Sequence, residues 1–187
     1  MPRLHAHSSL LPVLLAALAL APQRVRAEDA VTFGPHDVRS VFHVAKSENQ
    51  NQVHYGLRLD AACRPLGKRP VFAYWSRQRA SGRVDAPLEG LGQHFYGASD
   101  EQRVRTGTTG GHVQMYVKAL ERVTVEISVQ QTASGCVAVP TTLINGERAS
   151  LSRAYLKLGR FGLSVAYVDV VGTRLRDGAR IVQRVEG

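Results

Sequence analysis

The chain has 187 residues, 44% hydrophobic, 21% charged and 6% aromatic, with 17 glycines, 8 prolines, 2 cysteines and a formal charge of +9. Glycine without a three-residue period excludes a collagen-like chain, and two cysteines cannot build the framework of a disulfide-dense miniature domain. Apolar β-branched residues recur through the C-terminal two thirds, which excludes extended disorder and points to one globular domain with an appendage.

The appendage comes first. Arg3 gives a positive start, Leu10 to Ala21 is a 12-residue apolar run, and Val25-Arg26-Ala27 places small residues ahead of Glu28. That is the layout of a secretory signal cut after residue 27. The run is shorter than the roughly 20 residues a membrane-spanning helix needs, and no later stretch is apolar for long enough. A retained anchor or a buried first helix is the alternative, opposed by Pro12 near the start of the run and Pro22 just after its end. The expected organisation is therefore a signal over 1–27 and a single β-rich domain over 28–187, periplasmic or secreted, with no transmembrane span in the mature chain. The signal carries three arginines and no acid, so the mature charge is +6. A basic exported domain can meet anionic lipid headgroups, acidic glycans or another envelope protein. Nucleic acid is not an expected partner, because export removes the domain from the genome and no binding motif occurs.

In chain order, Val53, Tyr55, Leu57 and Leu59 alternate with His54, Gly56 and Arg58, the period of a half-buried strand. Val71 to Trp75 is apolar on both faces, as a central or covered strand would be. Asp85 can cap a helix, Pro87 suits its first turn, and Leu88, Leu91 and Phe95 share one face, so a short helix near 87–96 is expected to pack by that face despite Gly90 and Gly92. Val113, Met115 and Val117 define another strand, and Val123, Val125, Ile127 and Val129 the clearest one. Val165 to Val171 again has two apolar faces. Asn145-Gly146 and Asp177-Gly178 are hairpin turns, while Gly107 to Gly111 and Ser134-Gly135 mark loops. Such short connections leave little room for crossover helices, so the fold expected is all-β, a mainly antiparallel sandwich or barrel with one short helix.

Export also sets the reading of Cys63 and Cys136. In an oxidising compartment the two cysteines of a mature domain are expected to pair, and the alternative is two small hydrophobes in separate core positions.

One ordered set of residues resembles a known family: Lys46-Ser47-x-Asn49-x-Asn51, Val53-x-Tyr55, Pro70-Val71 with Tyr74-Trp75, Tyr96-Gly97, Ile144-Asn145-Gly146, and a strand ending near Val171-Gly172. The pattern is similar to a family of secreted bacterial domains catalogued only as a domain of unknown function, over about Val41 to Glu186. The resemblance implies export and one β-rich domain and brings no chemistry with it.

Candidate sites follow from side-chain chemistry. Lys46, Asn49 and Asn51 precede a strand and can bind an anionic or glycan ligand, or else satisfy their own turn. Trp75 shares a strand face with Arg77, opposite Tyr74, which gives a ring with a guanidinium beside it unless Trp75 is buried in the core. Arg64, Lys68, Arg69, Arg77, Arg79 and Arg83 fall within 20 residues holding no acid. They form a binding patch or a solvated rim that protects a sheet edge. An enzyme reading rests on Ser134-Gly135-Cys136, which partly resembles the nucleophile stretch of L,D-transpeptidases, with His112 as base. That stretch lacks the arginine the family places two residues after the cysteine, here Ala138, and no His-Gly dipeptide lies upstream. No metal-ligand spacing, cofactor motif or identifiable pair of carboxylates is present. The reading is a non-enzymatic secreted domain that binds an anionic lipid, glycan or protein partner of the cell envelope through its basic and aromatic segment. A cysteine-dependent transpeptidase and a structural component of a surface assembly are the alternatives.

Overall fold

The computed structural model describes residues 30–46, 50–120, 123–159 and 165–186; the expected signal 1–27 and Asn49 lie outside them. Four strands run as an antiparallel meander: Val38–Lys46 (β1), Gln52–Leu57 (β2), Val71–Arg79 (β3) and Gly82–Pro87 (β4). A seven-residue helix, Gly90–Tyr96 (α1), follows. Arg103–Thr106 (β5), Gly111–Tyr116 (β6), Thr124–Thr132 (β7) and Gly135–Ile144 (β8) make a second meander, with a 3-10 turn at Lys118–Leu120.

Glu147–Leu158 (β9) joins the two. Its first residues pair with β8, with Ser150 opposite Thr141, and its later residues pair in parallel with β1, with Arg153 opposite His43. Its other edge takes Val165–Arg174 (β10), which pairs with Arg180–Glu186 (β11). Among the described residues every pairing except β1–β9 is antiparallel, and β4, β5 and β11 each have one neighbour. The sheet is therefore open, which gives the expected all-β class with one short helix and rules out the barrel. One hydrophobic cluster takes Phe42, Val44 and Tyr55 from the first meander and Val113, Val125 and Ile127 from the second, so the two inner faces pack on each other.

Cys63, in the loop after β2, is bonded to Cys136 at the start of β8, with Cα atoms 5.4 Å apart. The bridge ties the meanders together across 73 residues of chain, a closure worth about 4 kcal/mol in the chain-entropy model. Asn145 and Gly146 both have positive φ, 51° and 77°, as a two-residue hairpin turn requires. Gly172 leaves no room for a side chain between β10 and β9: a Cβ there would run into the Ser150 carbonyl oxygen and stand 2.8 Å from Ile144 Cδ1.

The helix departs from expectation. Asp85 and Pro87 lie in β4, opposite Ser76 and Tyr74, so the cap position is Glu89 and the helix starts only at Gly90. Leu88 is buried before the helix begins, whereas Leu91 and Phe95 are 75% and 54% exposed, and the helix buries no residue. Ladder pairing of 82–87 with β3 outcompetes a helix start that would have spent Pro87 on a first turn.

Candidate functional site

At the open end of the first meander, Val44, Val53, Trp75 and Ala86 lie in one register row facing inward. Lys46 and Arg77 sit two residues further along their strands, on the same face. Helix α1 closes this end by laying Tyr96 beside Trp75, with ring centroids 6.4 Å apart and nearly edge to face. The Lys46 ammonium lies 5.6 Å from the Tyr96 ring centre and the Arg77 guanidinium 5.6 Å from the Trp75 ring centre. Each contact is worth roughly 0.5–1 kcal/mol where solvent has access. Tyr96 is held from below by Tyr55, whose fully buried hydroxyl donates to the Tyr96 carbonyl oxygen at 2.6 Å; burial pushes that phenol well above its ordinary pKa. Two cations thus flank two aromatic rings, and Leu91 and Phe95, four apart on the helix, project into solvent beside them. Residues that carry the family resemblance, Lys46, Tyr55, Trp75 and Tyr96, meet here.

The run of six cations is divided by the fold. Arg64 pairs with Asp60 at 2.7 Å and Arg69 with Asp100 at 3.3 Å, and Lys68 is exposed in the same loop before β3. Arg77 and Arg79 lie at the far end of β3, about 20–25 Å away at 3.3 Å per residue. Arg83 projects from β4 over the opposite face, where its guanidinium reaches Gln52 Oε1 and the Gln50 carbonyl, each at 3.4 Å. Among the described residues, the three best-formed surface grooves lie elsewhere, lined by none of residues 74–83. The largest, about 750 Å³, runs between the 3-10 turn and β10–β11 and is walled by Leu120, Leu143, Val168 and Val170.

The outer face of the first meander holds a cluster that the sequence reading passed over. One register row carries Arg153, His43, His54 and Tyr74 across β9, β1, β2 and β3. The two imidazoles stack with centroids 5.2 Å apart, and His54 lies 5.6 Å from the Tyr74 ring. Gln52 Oε1 lies 3.0 Å from His54 Nε2, and Ser40 Oγ lies 2.8 Å from His54 Nδ1. With Gln52 oxygen as acceptor, the network assigns the neutral tautomer with its proton on Nε2, so the Ser40 hydroxyl donates to Nδ1. Tyr74 donates its hydroxyl to the Arg39 carbonyl oxygen and is buried beneath Phe33. Burial, then Arg153 and Arg83, lower His43; burial, then His43 and Arg83, bring His54 down to about 4 against a partial counter-effect of Asp85. No local motif announces this cluster, because four strands contribute to it.

The transpeptidase alternative fails on the disulfide: the Cys136 sulfur is bonded to Cys63, so no thiolate is present at 136. His112 is opposite Ser128 and Cys136 opposite Gln131, which puts them two strands and three register positions apart. Among the described residues no three His, Cys, Asp or Glu side chains converge as a metal set.

Fold and surface together define an open, disulfide-tied β-domain with cationic and aromatic side chains gathered at one end. The chain belongs to the family described as Domain of unknown function (DUF4833), whose model matches residues 42–184. No curated protein and no solved structure matches it.

Proposed function

We propose that this is an exported, non-enzymatic binding domain of the cell envelope that docks on anionic lipid headgroups through Lys46, Trp75, Arg77 and Tyr96. The observation that carries the reading is the flanking of two aromatic rings by two cations at the end of the sheet where Leu91 and Phe95 are exposed. Rings and aliphatic side chains suit the boundary between headgroups and acyl chains, and the cations suit the phosphates above it. A glycan partner would use the cations and rings and leave the exposed Leu91 and Phe95 without a role. The leader-like 1–27 segment supports export, and a disulfide suits an oxidising compartment. No described helix is long and apolar enough to cross a membrane, and the proposed contact is through the surface patch.

The test is co-sedimentation with phosphatidylglycerol and phosphatidylcholine vesicles over a salt series. Each basic residue at an anionic surface contributes about 1 kcal/mol, so K46Q/R77Q should weaken binding to the anionic vesicles by about thirtyfold. Wild-type binding should fall as salt rises and be weak on phosphatidylcholine. Equal binding to both lipids, or a double variant that binds like wild type, overturns the reading.

A further inference from the structure

The outer-face cluster is separate from the lipid-docking end, since Lys46, Trp75 and Arg77 point to the other side of the same strands. Its charge balance is one-sided. Arg153 comes from β9, His43 and Arg39 from β1, His54 from β2, Arg83 from β4, and Arg58, which follows β2, lies over the Phe72 ring. The acids on this face are Asp85 on β4, Asp37, whose carboxylate accepts from the Gly34 and Leu59 N–H groups at 2.8 and 3.0 Å, and Asp169 on β10, opposite Tyr155 of β9 and neutralised by Arg184 at 2.8 Å. Among the described residues neither Arg83 nor Arg153 has a carboxylate within ion-pair distance. Tyr74 and Ser76, both 2% exposed, form a dry floor beneath these groups, so their fields are screened less than on an open surface.

We propose that the outer face of β1–β4 is an oxyanion site for a phosphate group, centred on the stacked His43 and His54 imidazoles, flanked by Arg83 and Arg153, with the Ser40 hydroxyl as a switchable donor. A tetrahedral phosphate presents more acceptor oxygens than a carboxylate and a second negative charge, which suits donors arriving from several strands. Binding takes up a proton. In the free protein the Ser40 hydroxyl donates to His54 Nδ1. An anion above the imidazoles offsets the fields of Arg83 and Arg153, and a proton from solvent enters at His54 Nδ1. Nδ1–H then donates to Ser40 Oγ, and the Ser40 hydroxyl proton turns outward to the phosphate. The free histidines are neutral near pH 7 because burial lowers both, helped by Arg153 and Arg83 at His43 and by His43 and Arg83 at His54, so anion and proton bind together and affinity rises as pH falls.

Imidazole Cε1–H resonances of His43 and His54, followed by NMR over pH, test this. The arms are sodium chloride, inorganic phosphate, sulfate and glycerol 3-phosphate at matched ionic strength. Phosphate and sulfate should each raise the His54 midpoint by about one pH unit or more over chloride. Sulfate keeps its charge over the range, so its affinity should rise by up to about tenfold per pH unit fall near the midpoint through the protein's own proton. Glycerol 3-phosphate binding as well as phosphate makes the site open to a headgroup ester; binding of inorganic phosphate alone makes it a site for the free ion. R83Q and R153Q, both at exposed positions, should each reduce affinity several-fold with unchanged circular dichroism, and S40A should reduce the His54 rise. Midpoints equal in chloride, phosphate and sulfate overturn the proposal, as does wild-type affinity in R83Q/R153Q.

Discussion

The disulfide gives the sharpest quantitative expectation for the fold. Replacing both cysteines, C63A/C136A, removes a cross-link that spans 73 residues and joins the β2–β3 loop of one meander to β8 of the other. In the chain-entropy model the unfolded state then regains about 4 kcal/mol of conformational freedom. For a domain of this size each kcal/mol corresponds to roughly 2–4 °C, so the thermal midpoint should fall by on the order of 10 °C. Cys63 is 1% exposed, and the small cavity left by its sulfur adds to that loss. Differential scanning calorimetry of the oxidised protein, the reduced protein and the double variant should show the first well above the other two. Reduced and oxidised midpoints within about 2 °C of each other, or two thiols that alkylate without prior reduction, would refute the reasoning.

The outer-face histidines make stability depend on pH. His54 falls to about 4 from an ordinary 6.5, so between these values the unfolded chain binds more protons than the folded one, and stability is lost as pH drops through that window. The full difference corresponds to ~3 kcal/mol, reduced to about 1–2 kcal/mol because the ring is only half-buried. Denaturant titrations at pH 7 and pH 5 should show the loss in wild type and much less of it in H54Q; equal slopes against pH in the two proteins would rule the imidazole out as its source. The arginine-held carboxylates Asp60 and Asp169, both lowered, contribute only at more acid pH. Y55F leaves the Tyr96 carbonyl without its donor and should cost about 1–3 kcal/mol in urea unfolding while shifting the emission of Trp75, which Tyr96 adjoins; an unchanged spectrum contradicts the support assigned to Tyr55. G172A drives a methyl into the Ser150 carbonyl and Ile144 and should destabilise the fold by about 2 kcal/mol or more, whereas G146A, with open space around it, should pay only for its positive φ.

Legibility followed the range of the interactions. Strands β2, β6 and β7 were readable because one face of each is dry, which imposes period two on Val53 to Leu57, Val113 to Val117 and Val125 to Val129. The Asn145-Gly146 turn was readable because its positive φ values select those residues, whereas Asp177-Gly178 falls in a five-residue connection, 175–179, in which Gly178 takes positive φ and Asp177 does not. The parallel pairing of β1 with β9 left no trace, since His43 and Arg153 meet from distant parts of the chain and neither strand's composition records its neighbour. The helix was misplaced because Leu88, Leu91 and Phe95 have helical spacing, yet pairing to β3 holds the chain extended through Pro87 and turns Leu91 and Phe95 outward. Of the candidate site, Lys46, Trp75 and Arg77 were singled out in the sequence, while Tyr96 entered only as part of a motif. The charge run is compact in sequence and divided in space because β3, nine residues long, separates its halves. The histidine face was missed altogether, its members being isolated histidines until the sheet stacks them.

Trp75 is the sole tryptophan of the chain and stands between Arg77 and Tyr96, so its emission reports directly on the proposed docking surface. The decisive measurement is Trp75 fluorescence on titration with phosphatidylglycerol vesicles carrying brominated acyl chains, in wild type, K46Q/R77Q and L91S/F95S. The account predicts a blue shift with quenching in wild type. It predicts loss of both in K46Q/R77Q, and in L91S/F95S salt-sensitive adsorption with much less quenching. Vesicle-bound protein whose Trp75 spectrum is unshifted and unquenched would contradict it, because the membrane would then be meeting some other face of the domain.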